Sequence, residues 1–256
     1  AARVAAAARW AAEGCRVLEL VQPPDASAEG AADELLSMAA RRPALFGAVG
    51  PRGICAVHWL CGSAHATPLL LDTLLEPMPE LASLADSRGM LPLHWLCASP
   101  HATAETVLLV LEAHEDAPTV ADDYGLLPLH WLCGSDADDG RALHLLLDAY
   151  PDGPAHADDL GLLPIHWLAN GGASPSSLQP LLEWHAPSAA LPTADGLLPL
   201  HLLCNNSRLQ LASLRLLLDA HPAAAATADG RGVYPLHMLP SAHPDATAMR
   251  QLIISA

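Results

Sequence analysis

The chain has 256 residues, of which 52% are hydrophobic, and its 28 acidic and 12 basic residues give a formal net charge of −16. This length and apolar fraction suffice for a continuous core and argue against a disordered chain. One Phe and three Tyr are too few aromatic residues for a typical β-sandwich or compact α/β enzyme.

Charge and residue usage exclude several kinds of partner and site. All twelve basic residues are arginine, so the chain has no lysine to form a Schiff base or to bind phosphate in a P-loop. The acidic balance opposes binding to phosphate backbones, so we expect no nucleic-acid partner. No apolar run reaches the roughly 18 residues that span a bilayer, so we predict no membrane span in this chain.

The start of the chain differs from the rest. Residues 1–30 carry no repeated pattern, and we expect an irregular N-terminal helical cap or fragment there. Residues 31–256 are predicted to form one repeat domain. Its first element is a helix over residues 35–42, because Pro43 follows that helix just as a proline follows later helices.

One sequence phrase recurs six times after residue 50. Each copy has a Gly five residues before a His, and successive histidines lie 36, 36, 36, 35 and 36 residues apart. Such a fixed period is typical of repeat architectures. We number the repeats, first to sixth, by these histidines: His58, His94, His130, His166, His201 and His237.

Each copy divides into the same elements. In four copies an Asp three residues before the Gly favours a turn, because its carboxylate can accept turn N–H groups and the Gly permits an unusual φ. A proline in the last five copies then predicts the first residue of a short helix through the histidine. After a loop, a leucine-rich segment predicts a second helix, with Thr67 and Ser174 as visible caps.

These residues resemble the ankyrin repeat, whose pattern is Asp-x-x-Gly-x-Thr-Pro-Leu-His. Residues 122–133 match it at Asp122, Gly125, Pro128, Leu129 and His130. The resemblance implies an all-α fold, an ankyrin-like helical-repeat solenoid of six helix-turn-helix units plus the N-terminal cap. The repeat of this chain differs from that of the family in its period, which is 36 residues and not about 33. A leucine also replaces the Thr, so the hydroxyl cap is lost and the histidine loses its usual partner.

The spacing His-x-x-Cys in four copies leaves two interpretations of these side chains. Residues three apart share a helical face and can chelate zinc, but each pair offers two ligands where a structural site needs four. Alternatively, each His bonds to turn backbone and each Cys packs as a small apolar residue. The second interpretation is favoured, so we expect neither a metal nor another cofactor.

A tryptophan follows the histidine in the first four repeats. These residues, at positions 59, 95, 131 and 167, give way to Leu202 and Met238. They are predicted either to pack between adjacent first helices or to form a partly exposed aromatic stripe that anchors a partner.

The residues around the fixed Asp and Gly of each turn differ between copies, so they can encode specificity. We therefore predict as partner-binding residues Ser87, Arg88, Met90, Asp123, Tyr124, Leu126, Asp159, Leu160, Leu162, Arg231 and Val233. Residues 112–159 also hold twelve acids against the single base Arg141. This run favours a protein partner that brings a basic segment to a concave, acidic surface.

The predicted function is a protein–protein interaction scaffold and not an enzyme, because common catalytic motifs such as Walker A and G-x-S-x-G are absent from the sequence. The alternative is an interaction module of a larger enzyme or membrane protein whose active part lies outside this sequence. The six scattered cysteines read as buried thiols in a reducing compartment. They predict an intracellular protein, cytoplasmic or nuclear, with an organelle as a further option.

Overall fold

The computed structural model describes residues 31–135, 140–240 and 243–256. Within these ranges the chain forms thirteen α-helices joined by turns and short 3₁₀ segments, with one isolated β-bridge between Val49 and Cys55. The predicted N-terminal cap over residues 1–30 lies outside the described residues, so the boundary at residue 30 stays a prediction.

The helices alternate between two kinds, as the repeat pattern predicted. The first helices of the six repeats are α2 Ala56–Cys61, α4 Pro92–Ala98, α6 Pro128–Gly134, α8 Pro164–Gly171, α10 Pro199–Cys204 and α12 Pro235–Met238. The second helices are α3 Pro68–Leu75, α5 Ala104–Ala113, α7 Gly140–Ala149, α9 Pro175–Trp184, α11 Leu211–Ala220 and α13 Ala246–Ser255, and they are preceded by α1 Ala31–Arg41. None of these described helices is long and apolar enough to cross a bilayer.

Helix starts follow from local chemistry. Five first helices begin at the predicted proline, whose fixed φ suits the first helical position and whose missing N–H leaves no donor unpaired. At α3 the hydroxyl of Thr67 accepts the N–H of Leu70 at 3.4 Å, and Ser174 caps α9 in the same way. The predicted helix starts and both predicted caps are confirmed.

The chain divides into two compact units, one ending at Asp123 and the other beginning at Tyr124. In the first unit α2 packs on α4, and α1, α3 and α5 pack in succession. In the second unit α6, α8, α10 and α12 pack in succession, as do α7, α9, α11 and α13. Helices of one kind therefore stack on their own kind, which buries leucines such as Leu74 and Leu146 that a single short helix pair would leave exposed.

Candidate binding surface

An aspartate opens the turn in four of the six repeats, and its carboxylate organises the turn. The Oδ1 atom of Asp86 accepts the N–H groups of Arg88 at 2.8 Å and Met90 at 3.0 Å. Asp158 and Asp229 bind the equivalent two amides of their own turns. These carboxylates are almost fully buried, so their role is to hold the turn. The predicted function of the repeated aspartate is confirmed.

The same aspartate also fixes the tryptophan of its repeat. The second carboxylate oxygen of Asp86 accepts the indole Nε1–H of Trp95 at 3.3 Å, and Asp158 accepts that of Trp167 at 3.0 Å. This bond was not predicted from the sequence. Its signal was the joint presence of Asp and Trp in the second, third and fourth repeats and their joint absence from the fifth.

The tryptophans are half-buried and pack between neighbouring repeats. In the first unit the rings of Trp59 and Trp95 lie 5.2 Å apart, centroid to centroid. A Cβ placed on Gly62 would lie 3.1 Å from Trp95, and one on Gly134 would lie 3.2 Å from Trp167. Each of these two indoles therefore packs closely against the glycine at the end of the preceding first helix. This geometry supports the packing interpretation at both positions.

The histidines cap the first helices. In every repeat the Nδ1 atom accepts the N–H of the residue just before the helix, at 3.0–3.3 Å. Nε2 therefore carries the proton. In the first and fourth repeats it donates to a backbone carbonyl further along the chain, from His58 to Leu84 and from His166 to Leu191, each at 3.0 Å. The buried Nε2 atoms of His130 and His201, by contrast, have no hydrogen-bond partner among the residues that the structure describes. Backbone groups thus replace the lost hydroxyl partner, as the favoured interpretation predicted.

The cysteines that follow these histidines are buried and carry no disulfide. Burial raises the pKa of the Cys61 and Cys204 thiols to about 12 and raises that of Cys133 as well. Such thiols stay protonated near neutral pH and pack as apolar groups. Across the described ranges no three His, Cys, Asp or Glu side chains converge as metal ligands would.

We expect the native protein to resist thiol labelling. In a Cys15→Ser background, which removes the cysteine outside the described residues, a disulfide reagent at about pH 8 should label the folded chain slowly, because thiolate is scarce and shielded. Full denaturation should then make all five remaining thiols reactive. Rapid labelling of two or more thiols in the folded protein would contradict the buried placement.

Most of the predicted partner-binding residues lie exposed at the turns. Exposed side chains are found at Ser87, Arg88, Asp123, Tyr124, Asp159, Leu160 and Arg231, whereas Leu162 and Val233 are half-buried. Met90 and Leu126 are only 6% exposed, although they hold the same position, four residues before the histidine, as half-buried Leu162 and Val233. These two offer a partner little surface, and they support the exposed residues from beneath.

Hydrogen bonds join successive turns within each unit, and we call this series the turn ladder. In the first unit Ser87 N–H donates to the Arg52 carbonyl at 2.9 Å and Asp123 N–H to that of Arg88 at 2.8 Å. In the second unit Asp159 N–H donates to the Tyr124 carbonyl at 3.1 Å. The ladder holds the exposed turn residues in a regular series, which suits a preorganised recognition surface.

The comparisons with known proteins agree with this geometry. No protein-family model and no curated protein matches the chain. Among solved structures the chain is similar to the ankyrin repeat domain of human ASB11, at 19% sequence identity and a TM-score of 0.64. The match covers 86% of this chain and 96% of that one. At this identity the similarity shows the fold, which is the predicted all-α ankyrin repeat fold.

Proposed function

We propose that this chain is a non-catalytic scaffold that binds a protein partner carrying a basic segment. The binding face consists of the turn residues and first helices, which the ankyrin resemblance predicts to be concave. Repeat folds of this kind recognise partners through side chains that vary on a constant framework. The fold alone does not identify a partner, whereas the chemistry of the turns indicates its charge.

The observation that carries the proposal is a pair of adjacent acidic residues in the turn, one of which is buried and holds the turn while the other is exposed. In the fourth repeat the buried Asp158 makes the bonds that hold the turn, while its neighbour Asp159 is exposed. Exposed Asp123 occupies the matching position in the third repeat. An acidic residue that the turn does not need raises the negative potential at each of these two turns and favours a basic partner.

Neutralising these two exposed acids should weaken partner binding and leave the fold intact. We expect the Asp123→Asn/Asp159→Asn variant to bind the natural partner about threefold more weakly at low salt, since each exposed charge pair contributes up to about 1 kcal/mol. Its affinity should also fall less steeply with added salt, because fewer charges are screened. The partner is first captured from native extract with the wild-type chain, and the affinities are then measured by titration.

A matched control separates local from total charge. The Asp72→Asn/Asp148→Asn variant removes the same charge from exposed positions on the second helices α3 and α7, away from the turns. Its affinity and salt dependence should stay at wild-type values. Equal affinity and equal salt dependence in wild type and the turn variant would show that these acids only solvate the surface.

A further inference from the structure

The turn ladder is interrupted in the second unit, between the fourth and fifth repeats. On either side it is intact, since Asp159 N–H donates to Tyr124 and Gly230 N–H donates to Asp195 at 2.9 Å. The equivalent bond, from Ala194 N–H to the Leu160 carbonyl, is not formed in the part of this unit that the structure describes.

The space around the turn glycines shows the same interruption independently. A Cβ placed on Gly125 would lie 2.8 Å from Oδ1 of Asp159, and one on Gly196 would lie 2.8 Å from the Gly230 nitrogen. A Cβ placed on Gly161 would meet no atom within 4 Å. The fourth turn therefore stands apart from the fifth, while the other turns of this unit that have a following turn contact it closely.

Two substitutions in the fifth repeat explain the gap. Thr193 replaces the turn aspartate, and its hydroxyl accepts the Leu197 N–H at 3.2 Å. This amide is equivalent to that of Leu162, one of the two that Asp158 binds in the preceding turn. Leu202 stands where the earlier repeats have tryptophan. The aspartate and the indole that bind each other in the fourth repeat are thus both missing from the fifth, where Leu202 occupies less volume than an indole would.

A cleft of about 420 Å³ occupies this place. Trp167, Leu197 and Leu202 line it with apolar surface, and Leu160 at its edge is 71% exposed. Exposed Asp195 also lines it and supplies a negative charge. The volume lies within the range of sites that enclose a ligand group of moderate size.

We propose that this cleft binds an aromatic side chain that the partner presents next to an arginine or lysine. The apolar lining and the missing indole suit an aromatic ring, which buries a large apolar area at little entropic cost. The charge suits a basic neighbour, because the residues that line the cleft include exposed Asp195 and no Lys or Arg. The cleft inference rests on the proposed function, for which it names the partner's anchoring residue pair.

Backbone groups beside the cleft can orient such a segment. The Leu160 carbonyl and the Ala194 N–H are the pair that would have joined the two turns. With the turns apart, an extended segment can place one of its own amides between them and bond to both. This arrangement extends the turn ladder through the partner, in the manner of strand addition at a sheet edge.

Tryptamine, which joins an indole to an ammonium group, is the probe for this site. We expect it to cause saturable shifts of the Asp195 and Leu197 amide resonances of the full ¹⁵N-labelled chain. Indole-3-propionate has the same ring and the opposite charge, and it should bind about fivefold more weakly. Equal affinity of the two compounds would overturn the basic part of the proposal, and absence of saturable shifts with either would overturn the site.

Filling the cleft supplies the decisive variant. Asn170→Gly/Thr193→Asp/Leu202→Trp restores the glycine, aspartate and tryptophan found at the matching positions of neighbouring repeats, so its indole should occupy the cleft and abolish the tryptamine shifts. Persistent shifts in the folded variant would overturn the proposal. If this variant unfolds, Asp195→Asn provides the test, with an expected loss of about threefold in tryptamine affinity against none for the control Asp219→Asn on α11.

The natural partner separates this inference from the function on which it rests. The cleft-filled variant should bind that partner more weakly than the wild-type chain does. Unchanged partner binding by the cleft-filled variant, together with weaker binding by Asp123→Asn/Asp159→Asn, would overturn the cleft inference and leave the proposed function standing. Tryptamine binding without any protein partner in the extract would support the cleft and count against the proposed function.

Discussion

Replacing Gly125 with alanine should lower the free energy of unfolding by about 3 kcal/mol, the sum of two costs. Gly125 has a φ of 74°, in the left-handed region that an L side chain rarely adopts. Its new Cβ would also lie 2.9 Å from the backbone nitrogen of Asp159, which cannot move aside without breaking its bond to the preceding turn. Denaturant unfolding monitored by circular dichroism measures the change.

Gly161→Ala is the matched control for that variant. Gly161 has a φ of 76°, so the backbone strain is the same, but its added Cβ would meet no neighbouring atom. This variant should lose only about 1 kcal/mol, the cost of the left-handed conformation. Equal losses in the two variants would show that the turns following Gly125 and Gly161 are equally distant, and the interruption of the turn ladder would be refuted.

Mild acid should destabilise the protein through its buried histidines. Desolvation lowers the pKa of His130 to about 4, and it also lowers the pKa values of His58, His166 and His201. The folded state keeps these rings neutral, whereas the unfolded chain takes up protons below about pH 6.5. The contribution of these histidines to the free energy of unfolding is therefore fully present above about pH 6.5 and decreases as the pH drops. For His130 this decrease ends near its folded pKa of about 4.

The expected size of the His130 effect is about 2 kcal/mol between roughly pH 7.5 and pH 5, because each pKa unit corresponds to about 1.4 kcal/mol. Denaturant unfolding at both pH values measures it. His130→Asn should have a lower stability at neutral pH but lose less on acidification. Identical pH dependence in wild type and His130→Asn would contradict the assignment.

The sequence was sufficient to predict the elements whose causes are local. A proline fixes φ and lacks an N–H, so Pro128 or Pro164 at a helix start needs no tertiary information. The turn aspartates were predictable for the same reason, because each carboxylate binds amides two and four residues ahead. The capping histidines were partly predictable: loss of the usual threonine partner was clear, and the backbone amide that takes its place lies three residues before each histidine.

Partner-facing residues were harder to choose from one sequence. Met90 and Leu126 differ between copies and so looked free to vary, yet they are buried. The position four residues before each histidine holds an apolar residue in all six copies, including Ile54 and Leu197, and this shared property indicated at least partial burial. Chemical class at a repeat position is thus more informative than identity. The partner-binding role of the exposed turn residues stays a prediction.

The gap between the fourth and fifth turns depends on distances that no local pattern specifies. Thr193 and Leu202 are each acceptable substitutions when considered alone. The carboxylate of Asp158 binds the indole of Trp167, and the two substitutions together remove both partners of this hydrogen bond from the fifth repeat. Two positions nine residues apart must be compared across all the repeats before the sequence shows this.

The interrupted turn ladder also bears on how the second unit unfolds. In repeat arrays, cooperativity comes from the interfaces between neighbouring units, and an interface with fewer bonds transmits less of it. The junction of the fourth and fifth repeats keeps its helix packing and the bond from His166 to Leu191, but it lacks the turn-to-turn hydrogen bond. The fifth and sixth repeats can therefore open together as a partial unfolding unit while α6 and α8 remain folded. A ligand seated at this junction would bridge the weak interface and so couple its own binding to the folding of the last two repeats.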